Sequence, residues 1–393
     1  MIYNFDEINN RLGTYCTQWD FIQDRFGEKD LLPFSISDTD FKAPKQVVDN
    51  VRKVIDSGIY GYTRWNHHDY KGSIASYFGR RHNTDIDENW IVYSPSVLYS
   101  VSLLVRLLTK PKDKVVTFTP MYDSFFSVID ENERKRVDSP LKVIDGIFQI
   151  DFEDLENKLS SASLFLLCSP HNPTGRVWTK EEMDKMIYLC KKYNVKILSD
   201  EIHMDVVIGN NPHISLLQYM TEYDELYVLS SASKTFNIPG LLGSYCIISN
   251  KDVRDSFVHY TRKVDFLNSI SLPGLIATMT AYTECDDYVD QLVEYVRNNM
   301  QYLKEYIDSE LPDFSFHIPD ATYLAWIDIS KVPFTSAEVQ DALIHVGKVA
   351  IMAGETYGMD KYLRLNCGCP LSKLKDGLNR LKLSMDYLYS KKG

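Results

Sequence analysis

No run in this 393-residue sequence is apolar for long enough to form a membrane-spanning helix, so a membrane protein of that kind is not expected. Basic charge is also short. Forty-three Lys plus Arg face 54 Asp plus Glu, a net charge of -11, whereas a protein that tracks nucleic acid needs the opposite balance. Cysteine is sparse and unpatterned: seven residues, at 16, 168, 190, 246, 285, 367 and 369, with no disulfide-scaffold spacing. Free thiols in a reducing compartment follow, and the segment Met1 to Glu7 lacks the basic and apolar regions of a secretion signal, so a cytoplasmic location is expected. Metal-ligand spacing is missing as well. Cys367-Gly368-Cys369 has neither a two-residue spacer nor a nearby His and reads as two small buried residues, while the adjacent rings of His67 and His68 point apart. There is no internal repeat and no low-complexity tract.

What is present is an ordinary globular composition, 44% hydrophobic and 25% charged, on a chain longer than one core usually fills. From about residue 90 strand and helix signals alternate. Trp90-Ile91-Val92-Tyr93, Lys114 to Phe118, Ser163 to Cys168, Val195 to Ser199 and Glu225 to Leu229 read as buried strands, with helical spacing between them. Thr179 and Glu182 form a capping box ahead of Met183, Met186, Ile187 and Cys190. Such alternation predicts an α/β fold with a doubly wound, mostly parallel sheet over residues 46–285. Beyond about residue 285 a long helix, proline-broken short segments and a final helix predict a smaller α+β domain, 286–393, with which residues 1–45 pack as an arm.

Ligands of open α/β sheets bind beyond the carboxyl ends of the strands, and these ends are chemically rich here. Lys234 lies in Ser231-Ala232-Ser233-Lys234-Thr235-Phe236-Asn237 after one strand; a desolvated lysine there can condense with a carbonyl such as that of pyridoxal phosphate. Asp200, at another strand end, suits a protonated pyridine nitrogen, which makes the ring an electron sink. Asn172 in Asn172-Pro173-Thr174-Gly175 and His203, three residues past Asp200, suit the ring's phenolate oxygen. Tyr122 offers a stacking face, and Ser94-Pro95-Ser96 leads into a helix start where free N–H groups suit a phosphate. Singly, each has an ordinary reading as cap, turn former or core aromatic. Four such types at successive strand ends of one sheet point to one site.

The order Tyr122, Asn172, Asp200, Lys234 and Arg364, the last in Tyr362-Leu363-Arg364-Leu365-Asn366, resembles the fold-type I, class I/II aminotransferase superfamily, with the aspartate aminotransferase fold. The resemblance implies that Lys234 carries the cofactor, Asp200 pairs with its ring nitrogen, and Arg364 holds the substrate carboxylate, helped by Asn172, Ser37 and Tyr323. It further implies that Ser96, Val97, Ser231 and Ser233 cradle the phosphate and that Tyr62 reaches it from a second subunit, in a homodimer with shared active sites.

A narrower likeness is carried by Ile36 to Phe41, Gly61 to Trp65, Asp200 to Asp205, Thr322 to Trp326 and Arg364 to Pro370, which resemble the MalY/PatB group of carbon–sulfur lyases. His203 stands where most transaminases of the superfamily have Tyr, and Leu242 where they usually carry an Arg. These departures imply β-elimination from cystathionine, cysteine or related S-substituted cysteines, with a thiol or hydrogen sulfide as product. An aminotransferase is the nearest alternative, and a regulatory binding protein with secondary lyase activity a remote one. Tyr15, Tyr62, Trp65 and Tyr323 are candidates for the pocket entrance.

Overall fold

The computed structural model describes residues 1–392. Seven strands form the main sheet in the spatial order Ile91–Ser94, Ser244–Ile248, Leu226–Ser230, Lys196–Asp200, Leu164–Cys168, Lys114–Thr119 and Lys135–Pro140. Six run in one direction, and Ser244–Ile248 alone is antiparallel to both of its neighbours. Strands such as Leu164–Cys168, Leu226–Ser230 and Ser244–Ile248 are buried at every residue, as helices on both faces require of a sheet's centre. Each fully buried Leu or Phe in them contributes roughly 1.5–3 kcal/mol by leaving water.

Helix boundaries follow local chemistry. Ser96 caps Val97–Leu108 by accepting from Tyr99 N–H, and Thr179 with Glu182 completes the expected capping box at Lys180–Tyr193. Asn194 ends that helix in the left-handed region.

A second sheet, wholly antiparallel, orders Leu324–Asp328, Tyr362–Asn366 and Met352–Ala353, with the long helix Asp286–Glu310 preceding it and Leu371–Lys392 following. Leu32–Pro33 pairs in parallel with Val349–Ala350, which ties the amino-terminal arm to this region. Among the described residues no helix is long and apolar enough to cross a membrane.

The mostly parallel sheet is as expected; two of its strands had no assigned place in the sequence reading, and Trp90 departs from it. Ser244-Tyr245-Cys246-Ile247-Ile248 is an uninterrupted buried run, whose composition does not encode strand direction. Trp90 lies not in a strand but in the single turn Glu88–Trp90, because Asp87 accepts from Asn89 N–H and nucleates it. The edge strand Lys135–Pro140 carries too many polar residues to read as a strand from its pattern.

Candidate active site

The carboxyl ends of the six co-directional strands gather along one edge of the sheet, where Cys168 is in register with Asp200 and Ser94 with Ser244. A pocket of about 810 Å³, mouth included, opens there. Its walls contain Ser37, Ser96, Val97, Tyr122, Asn172, Asp200, His203, Ser231, Ser233 and Lys234, so ten positions singled out along almost 200 residues of sequence converge. Cys168, Ile202, Pro239, Leu242, Gly243 and Ser244 complete much of the lining. Of these, Ser244 could have been found only by recognising the antiparallel strand that it begins.

Lys234 is half-buried in the pocket wall, and its Nζ donates to Ser37 O at 2.8 Å. Burial lowers its amine to about 8, against the opposing pull of Asp38; Arg364 pushes the same way as burial, and Asp200 opposes. Asp200 is buried too. Its Oδ1 accepts from Ile202 N–H at 3.0 Å, but desolvation raises the carboxyl to about 7 despite that bond and the charge of Lys234. A carboxylate so placed calls for a closer cation than the chain supplies. The His203 imidazole is held neutral, pushed down to about 3 by burial first and then by Lys234 and Arg364, and its Nδ1 has no partner among the described residues.

Arg364 lies behind the pocket wall, projected from Tyr362–Asn366 and fully buried over the ring of Tyr357, 4.4 Å from its centre. Its Nη1 donates to Asn172 Oδ1 at 3.2 Å and its Nη2 to Ser35 O at 2.8 Å, while Nε has no partner among the described residues. Because Asn172 accepts through its oxygen, its amide N–H groups remain free to donate. Tyr357 carried no sequence signal.

The helix start at Ser96 and the side chain of Ser233 line one end of the pocket, where free backbone N–H groups suit an anion. Ser231 differs from the expectation in detail: its hydroxyl donates to Gly243 O and accepts from Ser233 N–H at 3.1 Å, so it orders the loop instead of offering a free donor. Leu242, at a positive φ of 55°, borders this end and supplies no charge.

The aromatic candidates for the entrance do not meet. Tyr323 is fully buried, its hydroxyl donating to Ser37 O at 2.9 Å, so it supports the wall from behind; its ring is drawn into the core by the strand that follows it. Trp65 is core-packed with its indole N–H on Asn268 Oδ1 at 3.2 Å, whereas Tyr15 and Tyr62 are exposed outside the pocket of their own chain. Cys367 and Cys369 are buried free thiols.

The residues fit pyridoxal phosphate. A buried amine, a desolvated carboxyl lacking a close cation, a neutral imidazole, a free amide donor and a capped helix start are the counterparts of an aldehyde, a pyridine nitrogen, a phenolate oxygen and a phosphate. The family model for aminotransferase class I and II matches residues 29–381. The chain belongs to that family. It is 40% identical over 382 residues to protein MalY of Escherichia coli K12, covering 96% of this chain and 97% of that one. To cystathionine beta-lyase PatB of Bacillus subtilis 168 it is 36% identical, over 97% and 100% respectively. The solved structure of cystalysin from Treponema denticola, which contains a pyridoxal 5'-phosphate cofactor, superposes with a TM-score of 0.93 at 31% identity, covering 99% of this chain and 100% of that one.

Proposed function

We propose that this chain is a pyridoxal-phosphate-dependent carbon–sulfur β-lyase that releases thiol from L-cystathionine and related S-substituted cysteines, or from cysteine, yielding pyruvate and ammonia. The observation that carries the reading is the Lys234 amine, lowered to about 8 by desolvation, in one pocket with a buried Asp200 that lacks a close cation. Similarity to MalY, PatB and cystalysin supports elimination over transamination, as do His203 and Leu242 at positions where transaminases usually differ.

Pyridoxal phosphate, when bound, supplies a protonated ring that delocalises the electrons left on the substrate's Cα. Asp200 keeps that ring nitrogen protonated, and Asn172 with neutral His203 donates to the phenolate oxygen. Tyr122 would stack on the ring face, while Ser96, Val97 and Ser233 would hold the phosphate on a loop that the Ser231 hydroxyl orders. Arg364 binds the α-carboxylate and so orients the Cα–H bond. Lys234 takes the Cα proton onto Nζ. The Cβ–S bond then breaks with its electron pair leaving on sulfur, and water converts the remaining fragment to pyruvate and ammonia. Homocysteine is the thiol from cystathionine and hydrogen sulfide the product from cysteine.

The decisive experiment incubates the purified protein with cystathionine and no keto acid. Sustained release of pyruvate and thiol is expected; turnover that needs a keto-acid acceptor would overturn the lyase reading in favour of an aminotransferase. Arg364→Lys supplies an independent check. Loss of the planar fork should lower kcat/KM roughly a hundredfold or more, chiefly through KM, with cofactor absorbance intact. An unchanged KM would remove Arg364 from the carboxylate site.

The same reading assigns residues 46–285 to a cofactor-binding domain and 1–45 with 286–393 to a smaller one. It makes the protein a cytoplasmic homodimer, in keeping with its free cysteines and with the exposure of Tyr62 beside Ile59 and Tyr60, from which Tyr62 reaches the phosphate of the second subunit.

A further inference from the structure

Asp38, whose charge opposes burial at the Lys234 amine, adjoins the carbonyl that holds that amine. Its Oδ2 accepts from Arg11 Nη2, and its Oδ1 is closed off from solvent with no hydrogen-bond partner among the described residues. The segment bearing it is fixed from three directions. Arg11 also reaches Thr39 O and Asp40 Oδ1, each at 3.0 Å; Asn237 Nδ2 donates to Thr39 O at 2.9 Å and Phe41 O at 2.7 Å; Asn366 Nδ2 donates to Ile36 O and Asp38 O, both at 2.6 Å. Ser37 O, within this span, accepts from Lys234 Nζ. A carboxylate with one unsatisfied oxygen is thereby locked on the residue that follows the carbonyl holding the lysine.

We propose that Asp38, partly neutralised by Arg11, is a positioning residue that makes the Ser37–Asp38 corner the seat of Lys234 in its ammonium form. The inference rests on the lyase reading, in which Lys234 becomes an ammonium when it takes the Cα proton. Four groups face that amine from different elements: Asp38, Asp200, Arg364 and neutral His203. Arg364 opposes the new charge, and Asp200 is committed to the cofactor's ring nitrogen. Asp38 is the carboxylate left to offset it, and of the charges acting on Lys234 it is the strongest in favour of protonation. Arg11 limits that pull, so the ammonium can still lose its proton and return to the amine that acts as base.

The test uses the full-length chain freed of cofactor, trace-acetylated with acetic anhydride over a pH series, with the Lys234 peptide quantified by mass spectrometry against an exposed lysine. Wild-type labelling should be half-maximal near about 8. Asp38→Asn should move that midpoint down by about one on the pH scale, and Arg11→Gln should move it up. Loosening of the arm without a charge effect would raise the midpoint in both, because admitting water returns an amine toward its ordinary value. A midpoint unchanged or raised in Asp38→Asn therefore overturns the proposal. Should that variant not fold, an unchanged or lowered midpoint in Arg11→Gln does so. Failure of the underlying reading would show separately, as wild-type Lys234 that borohydride does not fix to added pyridoxal phosphate.

Discussion

Lys234→Ala is expected to fold, to lose the visible absorbance of lysine-bound pyridoxal phosphate, and to eliminate thiol at least about a thousandfold more slowly than wild type. Folding should survive because the side chain makes one hydrogen bond, to Ser37 O, and that carbonyl keeps the Tyr323 hydroxyl at 2.9 Å. Burial already disfavours the ammonium form of the amine, so its removal relieves a desolvation cost while opening a modest cavity. Catalysis has no such reserve. The remaining bases near the pocket are unsuited: His203, pushed down to about 3, is weakly basic, Asp200 would be engaged by the ring, and burial pushes the Cys168 thiol well above its ordinary range. Absorbance, borohydride fixation and pyruvate release measure the loss independently. A variant with a near wild-type rate would remove Lys234 from its central place.

Why Lys234, Asp200, Asn172 and Tyr122 could be read from sequence is a matter of sheet geometry. A co-directional strand sends whatever follows it to the same edge, so four strand ends, once recognised, imply one site. Arg364 was legible only through its surrounding motif, since it arrives from the second sheet and lies behind the wall. Contacts made by backbone atoms left no signal at all: Ser37 was singled out, but what meets Lys234 is its carbonyl oxygen, which any residue would supply. Tyr323 shows the converse error, since an aromatic marked for the substrate side is turned inward to brace that carbonyl. The antiparallel Ser244–Ile248 was hidden because a fully buried strand shows no alternation, and direction depends on a connection whose path the pattern does not record.

Asp200→Asn should separate function from stability, with opposite signs. In the loaded enzyme the carboxylate would pair with the ring nitrogen, and removing one partner of a buried ion pair costs about 3–5 kcal/mol, which predicts a fall in elimination rate of two to four orders of magnitude. Asparagine keeps the oxygen that accepts from Ile202 N–H, so the local backbone is preserved. In the cofactor-free chain the same carboxyl is a liability, because desolvation raises it from 3.8 to about 7. The folded state therefore binds the proton more tightly than the unfolded state; the resulting stabilisation is complete below 3.8 and is lost as pH rises through about 7. The difference is worth at most roughly 4 kcal/mol. Cofactor-free Asp200→Asn should accordingly unfold at a higher denaturant concentration than wild type above neutral pH, with the advantage shrinking as pH falls toward 4. Parallel denaturation curves for the two cofactor-free proteins, across that range, would show whether Asp200 is held in reserve for a cation that the polypeptide does not provide. If the two curves stayed superimposed at alkaline pH, the carboxylate would already be satisfied by the chain itself and its pairing with the ring nitrogen would lose its physical basis.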